Sequence, residues 1–291
     1  MKLKKKQLPL LIALGLVAAA LLAVAARFDL AIDQAVYAPK NPVAILFEAF
    51  CYWPLYLPFA LLGAVWTFLR RDNPSFHVLG EVLVVLTFFI LFNQSLPNLV
   101  ERGLLPLEGA ALTFAALALT FVATIAAVSL ASRWDRPTLR RMELLAKFGV
   151  LLCVADNIVI NLLKLLWTRA RFDDMLAAGD FSFFSPWYQF GSQAGNTSFP
   201  SGHTAAACGI LTLLLLPLLF ERWEKRRGIL LASCLLYIAA SGFCRLVMGR
   251  HFLSDTVAAA VVMGILFLAL SCNRRFAAAL ARAKAPEKEP E

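Results

Sequence analysis

Seven charged or titratable side chains stand out in an otherwise apolar chain: Lys164, Arg169, Arg171, His203, Arg245, His251 and Asp255. His251 is followed four residues later by Asp255. On a helical turn that spacing puts imidazole and carboxylate on one side. The carboxylate can fix the imidazole tautomer and stabilise its cation, leaving the other ring nitrogen free to attack. His203 can protonate a leaving oxygen. The four cations suit the oxygens of a phosphate group. Ser201 and Gly202 directly precede His203 and open an apolar run, where free N–H groups at a helix start favour an anion. Gly202 also lets the backbone approach closely. The set is complete for phosphoryl transfer through a phosphohistidine, with no metal and no cofactor required.

What must position these residues is a membrane bundle. The chain has 291 residues, of which 60% are hydrophobic and 16% charged. Its mean hydropathy is +0.72. A soluble domain carries about 25% charged residues. The expected fold class is therefore all-α, a polytopic bundle of transmembrane helices. The net charge of +9 is read as topology rather than as affinity for nucleic acid, because no aromatic-interleaved basic patch stands outside the spans. The six cysteines show no CxxC spacing and the three histidines are scattered, which excludes a disulfide framework and a zinc motif. Rossmann glycines, a Walker loop, tandem repeats and domain linkers are also missing. One membrane domain is expected over 1–276, followed by a disordered cytoplasmic tail over 277–291.

Apolar runs long enough to cross about 30 Å of hydrocarbon fall at 8–26, 43–69, 76–92, 110–130, 142–166, 203–220, 228–247 and 256–272. Clustered Lys and Arg occur at every second connection and at both ends of the chain: "MKLKKK", Arg70-Arg71, "SRWDRPTLRR", "ERWEKRR" and "NRRF". The positive-inside rule places that set, and both termini, in the cytoplasm. Residues 27–42, 93–109, 167–202 and 248–255 then face outward. A rival reading makes the first apolar stretch a cleaved signal peptide ending near "AVAA", but its length favours a retained span. The third outward connection is long and dense in aromatics. Trp167, Trp187 and Tyr188 there fit an interfacial belt or a lipid-contacting lid equally well. The extra polar residues of span five, Asp156, Asn157 and Asn161, share a helical face with Lys164. They either support the site from behind or bond between helices.

Lys164–x6–Arg171, Pro200-Ser201-Gly202-His203 and Arg245–x5–His251–x3–Asp255 resemble the tripartite signature of the type 2 phosphatidic acid phosphatase superfamily. The resemblance covers 164–255, about a third of the chain, within the family's six-span core. It implies that His251 is the nucleophile with Asp255 as its partner, and that His203 is the general acid. Lys164, Arg171, Ser201, Gly202 and Arg245 would hold phosphate oxygens, and Arg169, in the "RAR" seen in many bacterial members, would also touch phosphate. Two positions depart from the pattern: Phe172 stands for the usual Pro, and Cys244 for the usual Ser, which puts one supporting hydrogen bond in doubt. The two spans beyond the core would be an inserted hairpin, spans three and four. The resemblance implies a lipid phosphatase of the bacterial cytoplasmic membrane, active at its periplasmic face. Lipid A, an undecaprenyl pyrophosphate and phosphatidylglycerol phosphate are the substrates to consider. The expected partners are the lipid phosphate and membrane lipids, with no nucleic acid and no obligate protein. A phosphotransferase on the same site, or a lipid-phosphate binder or flippase, are the competing functions.

Overall fold

The computed structural model describes residues 8–191 and 196–284. "MKLKKK" and residues 285–291 of the tail lie outside the described residues. Eight helical segments within them are long and apolar enough to cross a membrane. They fall where the apolar runs predict, with three differences that bear on function.

The first is that α1 (Leu8–Val36) does not stop near residue 26. It continues through "RFDLAIDQAV", a stretch expected to be an outward connection. Asp29 and Asp33 are four residues apart and both are buried. A charged side chain near lipid must turn to the bundle interior; here both do so without breaking the helix, and Asp29 pairs with Arg169. α4 (Pro74–Glu101) likewise runs on through Asn93, Gln94 and Asn98, expected in an outward connection; Asn93 and Asn98 donate to carbonyls one turn back, of Phe89 and Gln94.

The second is a break inside span two. α2 (Pro42–Phe50) is capped by Asn41, whose side chain accepts from the amides of Val43 and Ala44 at 3.0 and 3.1 Å. The chain then turns at Cys51–Tyr52, and α3 (Trp53–Leu69) starts afresh with Pro54 in its first turn. Proline is tolerated there because it has no N–H to satisfy, and it disfavours a continuous helix before it. The break delivers Tyr52 sideways into the bundle.

The third lies after the last span. The tail expected to be disordered from 277 is helical to Lys284, in α12 (Arg274–Lys284). Its Phe276 packs on Phe148 of the fifth span, ring centroids 5.1 Å apart.

α5 (Gly109–Ala131) leans on α4, and α4 on α3, where glycines allow backbone contact: a Cβ on Gly63 would lie 2.4 Å from the carbonyl oxygen of Gly80. The fifth span is α6 (Arg136–Trp167), 32 residues and so about 48 Å long. It exceeds the hydrocarbon thickness of about 30 Å, and its last turn carries Lys164. A short helix, α7 (Phe172–Ala178), follows. The sixth span is α8 (Gly202–Ala207), continued by tighter 3-10 turns over Cys208–Leu215 and by α9 (Leu216–Leu219). Then come α10 (Arg227–Val247) and α11 (Leu253–Ser271), joined by a tight turn in which Gly249 takes φ +68°. Beneath the signature residues, Leu55, Leu152, Ala205, Cys208, Ala259 and Met263 form a buried apolar core. Lipid tails are as apolar as this core, so its stability rests on close packing between helices.

Candidate active site

α6 ends at Thr168, which adopts a left-handed conformation at φ 40°. The reversal brings the chain back over the helix end. Lys164, in the last turn, donates to the carbonyl of Thr197 at 3.2 Å, and Arg171 donates to the Thr197 hydroxyl at 3.3 Å. Both cations therefore meet on the strap that leads into Pro200-Ser201-Gly202-His203. The Lys164 ammonium also lies 3.4 Å from where a Cβ on Gly202 would sit. Ser201 caps α8: its hydroxyl oxygen accepts from the Thr204 amide at 3.2 Å and the Thr204 hydroxyl at 3.0 Å. Its own amide donates to the carbonyl of Asp255 at 3.0 Å, joining the sixth and eighth spans.

His251 sits in the turn before α11, buried, with its ring centroid 6.2 Å from that of His203. Its Nδ1 is 2.7 Å from the carbonyl oxygen of Ser198 and 3.6 Å from Asp255 Oδ2. A carbonyl can only accept, so Nδ1 carries the proton and Nε2 keeps its lone pair. The sequence assigns this tautomer to Asp255; in the structure the direct bond is to Ser198. Asp255 stands one step behind. Its Oδ2 accepts from the Ser198 hydroxyl at 2.6 Å and from the Phe252 amide at 2.9 Å. Burial lowers the His251 pKa from 6.5 to about 4, with Arg245 and Lys164 pushing the same way against Asp255. The ring is neutral at pH 7 and can act as a nucleophile.

Arg169 is placed differently from the other cations. Its guanidinium is buried and every nitrogen is directed at protein: Nε to the Ser185 carbonyl at 2.8 Å, Nη1 to the Ser254 hydroxyl at 2.8 Å and Asp255 Oδ1 at 2.6 Å, and Nη2 to Asp29 at 3.0 Å. It also lies 4.2 Å over the Phe252 ring, a cation–π contact. In the structure the Arg169 guanidinium is taken up by Asp255, Asp29, Ser254 and Ser185, where the "RAR" pattern implies a contact with phosphate.

Arg245, in the last turn of α10, is buried and donates to Glu48 of α2 at 3.1 Å. Glu48 is held from its other side by Arg102, beyond α4, at 3.0 Å. His203 packs its ring against Tyr52, centroids 5.0 Å apart. Glu48, Tyr52, Thr197, Ser198 and Asp29 all escape the sequence analysis. Glu48, Asp29 and Asp33 carried a usable signal, since a lone acid inside an apolar span marks a functional interior. Thr197 and Ser198 belong to "GNTSF", to which no motif assigns a role.

The face of α6 is less polar in practice than its spacing implies. Asn157 donates to the Cys153 carbonyl at 2.9 Å and Asn161 to the Asn157 carbonyl at 2.6 Å, both within the helix. Asp156 is buried with Oδ1 in no hydrogen bond. Of the two departures from the signature, Phe172 fills an aromatic cluster with Tyr37 and Phe181, and Cys244 packs with Leu96, Leu99 and Val247. The Trp167 indole donates to the carbonyl of Trp187, and its ring stacks on Phe199 at 4.6 Å, next to Ser198. Among the described residues, no group of three or more His, Cys, Asp or Glu could hold a metal ion.

Comparison with curated proteins and with solved structures found no match. Residues 145–278 match the model of the PAP2 superfamily, a little under half of the chain. That stretch contains Lys164, Arg169, Arg171, Ser201, Gly202, His203, Arg245, His251 and Asp255, whereas Glu48 and Asp29 lie outside it. Superfamily members are phosphatases, which fits a polytopic protein acting on lipid phosphates. Over residues 145–278 this chain is similar to the PAP2 superfamily.

Proposed function

We propose that the protein is an integral-membrane lipid phosphatase that works through a phosphohistidine on His251, without a metal, at the periplasmic face of a bacterial cytoplasmic membrane. The observation that carries the proposal is the Ser198 carbonyl on His251 Nδ1, which leaves Nε2 free on a neutral ring facing His203. In the first step Nε2 attacks phosphorus, the bond from phosphorus to the lipid oxygen breaks, and His203 gives that oxygen its proton. The imidazolium-like phosphohistidine is stabilised by Asp255 from behind. In the second step water attacks phosphorus, its proton returns to His203, and inorganic phosphate leaves with His251 restored. Lys164, Arg171 and Arg245 take up the charge that grows on the phosphoryl oxygens. Gly202 leaves room beside Lys164, and Ser201 holds the start of α8 against Asp255.

The substrate classes are lipid A, undecaprenyl pyrophosphate and phosphatidylglycerol phosphate. The purified protein is expected to release inorganic phosphate from at least one of these lipids, with activity unchanged by EDTA. Mass spectrometry of the products separates hydrolysis from transfer, because transfer leaves the phosphate on a second lipid. Loss of activity on chelation would refute the metal-free route.

A further inference from the structure

Asp29 belongs to the first span, far from the signature, yet it is 1% exposed and carries three hydrogen bonds. Arg169 Nη2 donates to it at 3.0 Å, the Ser254 amide at 3.1 Å, and the Ser254 hydroxyl donates to it as well. A buried carboxylate is costly unless it is paired and hydrogen-bonded, and Asp29 meets both conditions through Arg169 and Ser254. Both partners of Asp29 act on Asp255. Arg169 reaches Asp255 with Nη1 while Asp29 holds Nη2. Ser254 is the residue before Asp255, in the first turn of α11. Asp255 in turn takes the Ser198 hydroxyl, and Ser198 holds His251. Asp33, one turn along α1, is equally buried, but neither of its carboxylate oxygens makes a hydrogen bond.

We infer that Asp29 is a positioning residue for the nucleophile. It fixes the guanidinium of Arg169 and the first turn of α11, and through them the orientation of Asp255 and the tautomer of His251. The inference rests on His251 being the nucleophile of the proposed phosphatase, and it makes the first span part of the catalytic apparatus.

The test measures kcat and KM for phosphate release from lipid A, undecaprenyl pyrophosphate and phosphatidylglycerol phosphate in detergent micelles, with the full-length protein. Asp29→Asn keeps the shape and removes the charge. Its kcat is expected to fall about 100-fold with KM within about threefold, the pattern of a group that acts on the transition state through another. Asp29→Glu should recover part of that loss. In an Asp255→Asn background, Asp29→Asn should add less than about threefold, because its route to His251 is already cut. A general loss of folding would instead multiply through both backgrounds. Asp29→Asn with kcat within twofold of wild type overturns the inference and leaves the phosphatase reading standing. If Asp29→Asn does not fold, Ser254→Ala decides: the expected loss is about tenfold, and kcat within twofold overturns the inference. A folded wild type that releases phosphate from none of the three lipids, or a His251→Ala variant that keeps turnover, removes the phosphatase reading and the inference with it.

Discussion

The start of α11 and the middle of α5 are both helical, both in spans, and built on opposite principles. In α5 only Ala116, Thr120 and Ala131 are buried, while Phe114, Phe121 and Val122 are more than 60% exposed and face outward to where lipid would be. Its place is held by small residues against α4 and α3. At the start of α11, Ser254, Asp255 and Thr256 are all buried, and their partners come from α1, the end of α6 and the strap before α8. Apolar packing in a membrane tolerates exchange, because many side chains fill a similar volume. A buried network of charges does not, because each group left without its partner costs several kcal/mol. The difference teaches where selection for chemistry acts in this chain and where the bilayer alone dictates residue choice.

The comparison can be broken or sharpened by experiment. The largest effect belongs to His251→Ala, expected to lower phosphate release by at least about 10³-fold while lipid binding remains, as removal of a nucleophile does. Next is pH. Because the His251 pKa falls to about 4, the neutral nucleophile persists as pH drops through 6.5 and is lost only below about 4. The acid limb of kcat/KM assigned to His251, after correction for ionisation of the substrate, should therefore fall about tenfold per pH unit below pH 4. An acid limb at 6.5 that vanished in a His251 variant would contradict the buried, neutral ring. A smaller effect is expected from Glu48→Gln. It loosens Arg245 without touching His251, and kcat should drop about fivefold to tenfold with Arg245 still present. The smallest belongs to Phe121→Ala, with kcat and thermal stability both near wild type. Gly63→Ala, in the same peripheral region, sharpens the contrast: its new Cβ meets the Gly80 backbone. It should cost about 1–3 kcal/mol of stability, read as a lower melting temperature, while the folded fraction keeps its kcat.

Much of this molecule was legible in one dimension. The spans declare themselves because the hydrocarbon thickness sets a length that an apolar run either meets or does not. Lys164, Arg171, His203, Arg245, His251 and Asp255 declare themselves because a charge at a helix end near lipid needs a reason. Other parts are silent for physical reasons. Asp29 reads as part of an outward connection until its partners appear, 140 and 225 residues away. The contribution of Ser198 is a backbone carbonyl, which every residue possesses. Arg169 and Arg171 are chemically identical in the sequence, and only the reversal at Thr168 sends one behind Asp255 and the other toward Thr197. Glu48 and the turn at Tyr52 were hidden inside a run that reads as uninterrupted span.

The guanidinium of Arg169 has a consequence for how the protein is made. It ties together residues 29, 185, 254 and 255, so its partners emerge from the ribosome at very different times. Asp29 waits through the insertion of six further spans before Ser254 arrives. A nascent chain that stops after α10 presents a half-neutralised arginine and no imidazole at position 251. On the proposed mechanism, catalytic competence would be conferred only when the eighth span enters the membrane.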